Sequence, residues 1–171
     1  MNSEDQFETI VGEHYEPLFR FAMSLTRVES DARDLTQHTF YVWATKGHQL
    51  RDITKVKTWL FTTLHREFLR QRRHDTRFRQ VELSESEPEL SVEPERIEVM
   101  KRDGVLRALA QVEPLYRATL SLFYLEEMSY REMADILGVP IGTIQSRLSR
   151  GKAQLRHLLG VESASPLKDP Q

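Results

Sequence analysis

The chain has no cysteine among its 171 residues. That excludes disulfides and thiolate zinc sites, and with them zinc fingers as a route to nucleic acid. No apolar run approaches the ~20 residues that a membrane-spanning helix needs. The first residues are acidic rather than basic and then apolar, so no membrane insertion is expected and the expected location is cytoplasmic. There is no internal repeat and no strand-length alternation of apolar and polar residues. There is also no HExxH pair, no glycine-rich phosphate loop and no nucleophile elbow. The six histidines, His14, His38, His48, His65, His74 and His157, form none of these patterns. Asp31 and Asp34 lie about one turn apart and could share a metal, but no third ligand stands near them. Both suit the first turn of a helix, where the dipole favours acids. No enzyme activity, metal or cofactor is expected.

Net charge is also nearly missing, at −2, and does not announce a nucleic-acid binder. The average conceals segregation. Residues 1–40 carry eight acids and three Lys/Arg, whereas residues 51–79 carry nine Lys/Arg and three acids. Residues 80–99 carry seven acids and one arginine, and residues 141–159 carry four Lys/Arg and no acid. Separated blocks can present two basic surfaces on an almost neutral chain.

The most informative stretch is residues 126–159. Ser129 with Glu132 three residues later makes a capping box. Met133, Ile136 and Leu137 follow at helical spacing, Gly138 suits a left-handed stop, and Pro140 resists continuation. A second helix then sets Ile141, Ile144, Leu148, Leu155 and Leu159 on one arc. Thr143, Ser146 and Arg150 fall opposite, flanked by Arg147 and Ser149. Small hydroxyls beside guanidiniums suit a major groove, where bulk is limited and phosphates and base edges are both in reach. The pattern is a helix-turn-helix with a recognition face. The competing reading is a solvated face on an ordinary bundle helix. The capped first helix, the Gly-Val-Pro turn and the acid-free second helix favour DNA.

Upstream, Phe7, Ile10, Val11, His14, Leu18, Phe19, Ala22 and Leu25 predict a helix over 5–26, with a kink or break near Glu16 because Pro17 lies inside it. Ser30 is expected to cap a second helix whose stripe is Ala32, Leu35, Thr39, Val42 and Trp43 and whose stop is Gly47. After a loop over 48–55, a third helix sets Val56, Trp59, Leu60, Thr63, Leu64 and Phe68 inward. Its end is basic, with Arg66, Arg70, Arg72, Arg73, Arg77 and Arg79. Aromatics among cations suit stacking on unpaired bases. Trp59 and Phe68 have core spacing, so Phe61, off that stripe, is the candidate for an exposed aromatic.

Residues 80–95 hold two prolines, many acids and few large apolar side chains, too little to fold alone. The segment is either a plain spacer or an acidic strand that occupies a basic channel meant for nucleic acid. Beyond it, Ile97, Met100, Leu106 and Leu109 suggest a helix. Pro114 opens another, with Leu115, Ala118, Thr119, Leu122 and Phe123 inward. Residues 161–171 form a polar tail. The fold class is all-α: two small helical domains, 1–79 and 96–160, joined by an acidic flexible linker over 80–95.

These residues resemble a known family. Asp31-Ala-Arg-Asp-Leu-Thr-Gln-His-Thr-Phe-Tyr-Val-Trp43, then Thr58-Trp-Leu-Phe-Thr, is similar to region 2 of bacterial RNA polymerase sigma factors. Tyr116-Arg-Ala-Thr-Leu and the stretch from Ser129 to Arg150 are similar to sigma region 4. With two regions and a short linker, the chain resembles the extracytoplasmic-function group. The resemblance implies that Asp34 and Gln37 dock on the clamp helices of core RNA polymerase. It implies that the loop and third helix open and read the minus-ten element, where Lys55, Lys57, Phe61, Arg66, Arg70 and Arg73 are the candidate contacts. It implies that the acidic linker runs through the RNA exit path. The recognition helix would read minus-thirty-five through Thr143, Ser146, Arg147, Ser149, Arg150 and Lys152, with Lys152 and Arg156 on phosphate. Promoter DNA, core polymerase and an anti-sigma factor are the implied partners. Two departures stand out: Thr63 and Arg66 replace the Ile and Asn often found there, and Val112-Glu113 replaces the usual Leu-Pro.

Three other classes compete. A regulator using the helix-turn-helix alone leaves the N-terminal half unexplained. A sigma-like decoy for an anti-sigma partner needs no cations on its DNA faces, and a hydrolase lacks a site.

Overall fold

A computed structural model describes residues 3–82 and 104–160, and all the α-helices named below lie within them. Helix α1 spans Ser3–Thr26 as one element with Pro17 inside it, so the expected break at Glu16 does not occur. Its apolar face continues on both sides of the proline, with Ile10 buried before it and Leu18, Phe21 and Ala22 buried after it. Tertiary packing of that face outweighs the single lost backbone bond. Arg27, at φ 59°, turns the chain out of the helix. Helix α2 spans Glu29–Lys46, and its N-cap is Val28 with no side-chain cap bond. Ser30 therefore lies inside the first turn and is not the cap; its hydroxyl lies 3.5 Å from Asp31 Oδ1. The end at Gly47 is as expected.

Two short 3-10 turns, Gly47–Gln49 and Ile53–Lys55, fill the loop before α3, Val56–Glu82. Asp52 caps the second turn by accepting from Thr54 N at 3.0 Å. Helix α3 runs through residues 80–82, which the sequence places in the linker. Residues 83–95 of that linker lie outside the described residues, as do Ile97, Met100 and the tail beyond 160. The second half comprises α4 (Gly104–Gln111), α5 (Pro114–Tyr124), α6 (Tyr130–Leu137) and α7 (Ile141–Leu159).

The two halves share one apolar cluster rather than two. In the first half α1, α2 and α3 pack together; in the second, α4, α5 and α6 pack on α7. Helix α5 then packs on α1, and α6 packs on α3. Between these layers every residue of α5 from Tyr116 to Phe123 is buried. Leu115, expected inward, is 54% exposed, because it lies in the first turn ahead of the walled-in stretch. Arg117 is buried too. Its guanidinium donates to the carbonyls of Val112 (2.8 Å) and Ser24 (3.4 Å), so it ties α5 to the end of α1. Burial, with Arg27 and Arg72 adding repulsion, pulls its pKa down to about 10. Glu126, in the turn after α5, takes Arg20 of α1 at 3.3 Å, and its backbone carbonyl takes Lys57 of α3 at 3.3 Å.

Gly47 is needed for space, not for its backbone angle. A Cβ there would meet the Trp43 ring at 2.6 Å, and that ring is buried edge-on against Trp59 with centroids 5.2 Å apart. Gly47→Ala is expected to displace the indole and cost about 1–3 kcal/mol, as overpacking does. Urea denaturation checks this, and a loss below about 0.5 kcal/mol would mean that the ring has room to move.

Candidate nucleic-acid and polymerase interfaces

The helix-turn-helix forms as its residues dictate. Ser129 accepts from Glu132 N at 3.2 Å, and the Glu132 side chain accepts from Ser129 N at 2.8 Å, closing the capping box. Gly138 is left-handed at φ 65°, and Pro140 is the N-cap of α7. Ile144, Leu148, Gly151 and Leu155 are buried. Gly151 lets α5 approach: a Cβ there would lie 3.0 Å from Leu120 and 3.1 Å from Tyr116. Ile141, expected inward, is 44% exposed because the buried arc starts one turn later. Leu159, at the other end, is only half-buried.

Ser146, Ser149 and Arg150 are exposed, and Thr143 and Arg147 are half-buried. At about 100° per residue, Arg147 and Lys152 flank the buried arc on opposite sides. Lys152 turns towards α5 and sets its ammonium 4.7 Å from the centre of the Phe123 ring. The structure thus brings Thr143, Ser146 and Arg150 onto one outward face with Arg147 at its edge, and places Lys152 apart from it. Arg156 is half-buried near the end of the helix.

On α3, Arg66, Arg70 and Arg73 are exposed at the spacing of one helix face, and Lys55 is exposed just before the helix. Arg70 forms a two-point pair with Glu67 at 2.9 and 2.6 Å. That bond is the main reason the Glu67 carboxyl is held below its usual range. Exposed pairs of this kind exchange easily for another anion. Phe61 is not an exposed aromatic. It is fully buried, 5.3 Å from the Phe21 ring. The inward stripe is wider than the spacing of Trp59, Leu60 and Leu64 suggests, because α3 is covered by α1, α2 and α6 rather than by one neighbour. Beside the loop, the start of α1 and the end of α2 border an open cavity of about 730 Å³ lined in part by Phe7, Trp43, His48, Arg51 and Ile53.

On α2, Asp34 and Gln37 are exposed. Tyr41 completes that face at the next turn and is 66% exposed. Its mark in the sequence is an aromatic at i+7 from Asp34 on the polar side of the stripe. Asp31 and Asp34 are both exposed on α2, and among the described residues no three acidic or histidine side chains converge as a metal site. Among those residues no helix is long and apolar enough to cross a membrane.

One candidate DNA contact is engaged in a hydrogen bond to the other half. Lys57 of α3 holds the Glu126 carbonyl. His65 of α3 hydrogen-bonds the backbone of Ile136 on α6 and lies within the field of Arg147 on α7.

Residues 10–78 match the family described as Sigma-70 region 2, and residues 102–155 match Sigma-70, region 4. The chain is similar to the ECF RNA polymerase sigma factor SigL of Mycobacterium tuberculosis. The two are 31% identical over 148 residues, 84% of this chain and 83% of that protein. It is similar to RNA polymerase sigma factor YlaC of Bacillus subtilis, 25% identical over 161 residues, 91% of this chain and 93% of that one. A solved structure of the sigma factor RpoE in complex with the anti-sigma factor NepR from Bartonella quintana superposes with a TM-score of 0.77 at 29% identity. The match covers 92% of this chain and 99% of that one.

The burial of Phe61 is testable. Phe61→Ala is expected to cost about 3–5 kcal/mol of stability, as for any large buried aromatic. A folded variant of near-normal stability that had lost only DNA binding would return Phe61 to the surface.

Proposed function

The chain belongs to the extracytoplasmic-function group of the sigma-70 family of RNA polymerase sigma factors, and we propose that it binds core RNA polymerase through α2 and directs initiation from promoters read at minus-ten and minus-thirty-five. It is a transcription initiation factor and acts where DNA and polymerase meet, in the cytoplasm. The observation that carries the reading is the capped helix-turn-helix, with Ser146, Arg147 and Arg150 on or beside one outward face, behind a region 2 half in the family's order.

In this reading the division of labour follows the halves: 1–79 for polymerase and minus-ten, 96–160 for minus-thirty-five, and the acidic segment as connection. Asp34, Gln37 and Tyr41 form the polymerase strip. Lys55, Arg66, Arg70 and Arg73 hold minus-ten phosphates, and Lys57 joins them once it leaves Glu126. The cavity lined in part by Phe7, Trp43, His48 and Arg51 suits an unpaired base, with a guanidinium among its walls. Thr143, Ser146, Ser149, Arg147 and Arg150 serve minus-thirty-five, and Lys152 and Arg156 serve phosphate. The RpoE relative is solved with an anti-sigma factor, which supports a comparable partner here.

Run-off transcription with core polymerase on a promoter library tests the whole reading, and no specific transcript above core polymerase alone would sink it. The double change Asp34→Arg with Gln37→Ala is expected to weaken co-purification with core polymerase while duplex binding stays intact. Undiminished co-purification by a folded variant would remove α2 from the interface. On α7, an arginine that reads a guanine should cost about 1–3 kcal/mol when changed to alanine and relax preference at one minus-thirty-five position. A phosphate contact should weaken all sequences alike and lower the salt slope by about one unit. Base reading is expected from Arg147 or Arg150. If both alanine variants keep wild-type preference and affinity in a randomised-element binding assay, α7 is not the reader.

A further inference from the structure

We infer that Glu126 is an intramolecular latch: its carboxylate on Arg20 and its main-chain carbonyl on Lys57 hold the second half against α1 and α3, and in that closed form Lys57 is withheld from nucleic acid. The halves meet where α5 packs on α1 and α6 packs on α3. Two of the polar contacts across this seam converge on Glu126. Arg20 Nε donates to its Oε1 at 3.3 Å, and Lys57 Nζ donates to its carbonyl at 3.3 Å. The Glu126 side chain is 3% exposed, against 43% for Arg20. A carboxylate taken that far out of water needs a cation held on it. The turn after α5 delivers it there. Leu125 N donates to the Ser121 carbonyl at 3.0 Å and Met128 N to the Leu122 carbonyl at 3.1 Å. Glu127, the next residue, is left-handed at φ 51°, a conformation that a non-glycine residue keeps only where its surroundings over-determine it.

The rest of the seam favours release. Arg117 reaches the Ser24 carbonyl of α1 at 3.4 Å, and Ser121 lies one turn further along the same face of α5. Arg117 Nε and Ser121 Oγ are buried, and neither has a hydrogen-bond partner among the described residues. Such atoms give up water on closing and recover it on opening, so the latch works against them. Release has a use. The minus-ten and minus-thirty-five elements lie about 25 base pairs apart, roughly 85 Å along the duplex at about 3.4 Å per pair. A compact chain of this length is only about 40 Å across. The closed form therefore cannot set α3 and α7 on both elements at once. Parting the halves spans them and frees Lys57 for phosphate. That use rests on the promoter reading proposed above; the latch itself does not.

Because the chain has no cysteine, Glu8→Cys on α1 and Ala153→Cys on α7, both exposed, can carry a donor–acceptor dye pair on the full-length protein. Single-molecule energy transfer then counts closed and open molecules. Glu126→Gln and Arg20→Ala are each expected to raise the open-to-closed ratio roughly tenfold, between what an exposed and a buried ion pair contribute. The double variant should open no further than either single one, because both remove the same interaction. Arg20→Lys should stay mostly closed. Arg20 is the half-exposed partner, so Arg20→Ala tests the latch even where a change at buried Glu126 harms folding. An unchanged ratio in Arg20→Ala, single effects that multiply in the double variant, or loss of helical circular dichroism in step with transfer in Arg20→Ala would each overturn the latch. The withholding of Lys57 is read separately. Arg20→Ala should bind a random-sequence duplex about threefold more tightly than the wild type although it has lost a cation, and Lys57→Ala added to it should remove the gain. Equal or weaker binding by an open Arg20→Ala protein would overturn the withholding. No polymerase enters these measurements. A failed run-off assay beside an opened Arg20→Ala protein would therefore discard the promoter reading and leave the latch standing.

Discussion

Helix α5 is short and walled in on every side, and the rest of the molecule is arranged around satisfying it. A helix buried over eight consecutive residues, Tyr116 to Phe123, needs neighbours all round, and the second half alone supplies only α4, α6 and α7. Helix α1 closes the remaining side. That requirement brings a guanidinium, Arg117, into the seam, where two of its nitrogens donate to the Val112 and Ser24 carbonyls and, among the described residues, its Nε has no hydrogen-bond partner and no acid pairs with it. It also demands Gly151 on α7, since Leu120 and Tyr116 stand where a side chain would go. A buried cation without a carboxylate is a costly element, so the seam that completes α5 is held together but not locked.

The same seam governs access to the basic surfaces. Closing the halves occupies Lys57 with the Glu126 carbonyl. Ser146, Ser149 and Arg150 stay open on α7, and Arg66 and Arg73 stay open on α3. The first half thus keeps part of its cationic face free while Lys57 serves as intramolecular adhesive. Salt weakens exposed electrostatic contacts more than buried ones, so the Arg117 and Glu126 contacts carry the closure, and the outlying cations answer to solution conditions and to nucleic acid.

Charge segregation along the chain is what allows this economy with so little net charge. The acids of α1 and α2 face solvent, as Asp31, Asp34 and Glu16 show, while Arg66, Arg70 and Arg73 lie exposed on one face of α3. Asp34, Gln37 and Tyr41 make an exposed strip on α2, distinct from the exposed cations of α3 and α7. Protein and nucleic-acid partners can then be engaged on separate sides of the same small bundle.

The sequence by itself determined most local structure. The Ser129–Glu132 capping box, the left-handed Gly138, the stop at Gly47 and the outward Ser146–Arg150 arc are each set by neighbours within a few residues. Region order and spacing carried the family. Tertiary structure decided whatever depends on how many neighbours a helix has. Periodicity locates the centre of an apolar stripe but not its width. Phe61 is therefore buried, although it lies beside the stripe of α3, while Leu115 and Ile141 are exposed at helix starts that the core does not reach. Pro17 stays within α1 because packing outweighs one missing hydrogen bond. The bond from Arg117 to the Ser24 carbonyl joins residues 93 positions apart. Only the approach of α5 to α1 brings them together, because local spacing holds no record of long-range contact.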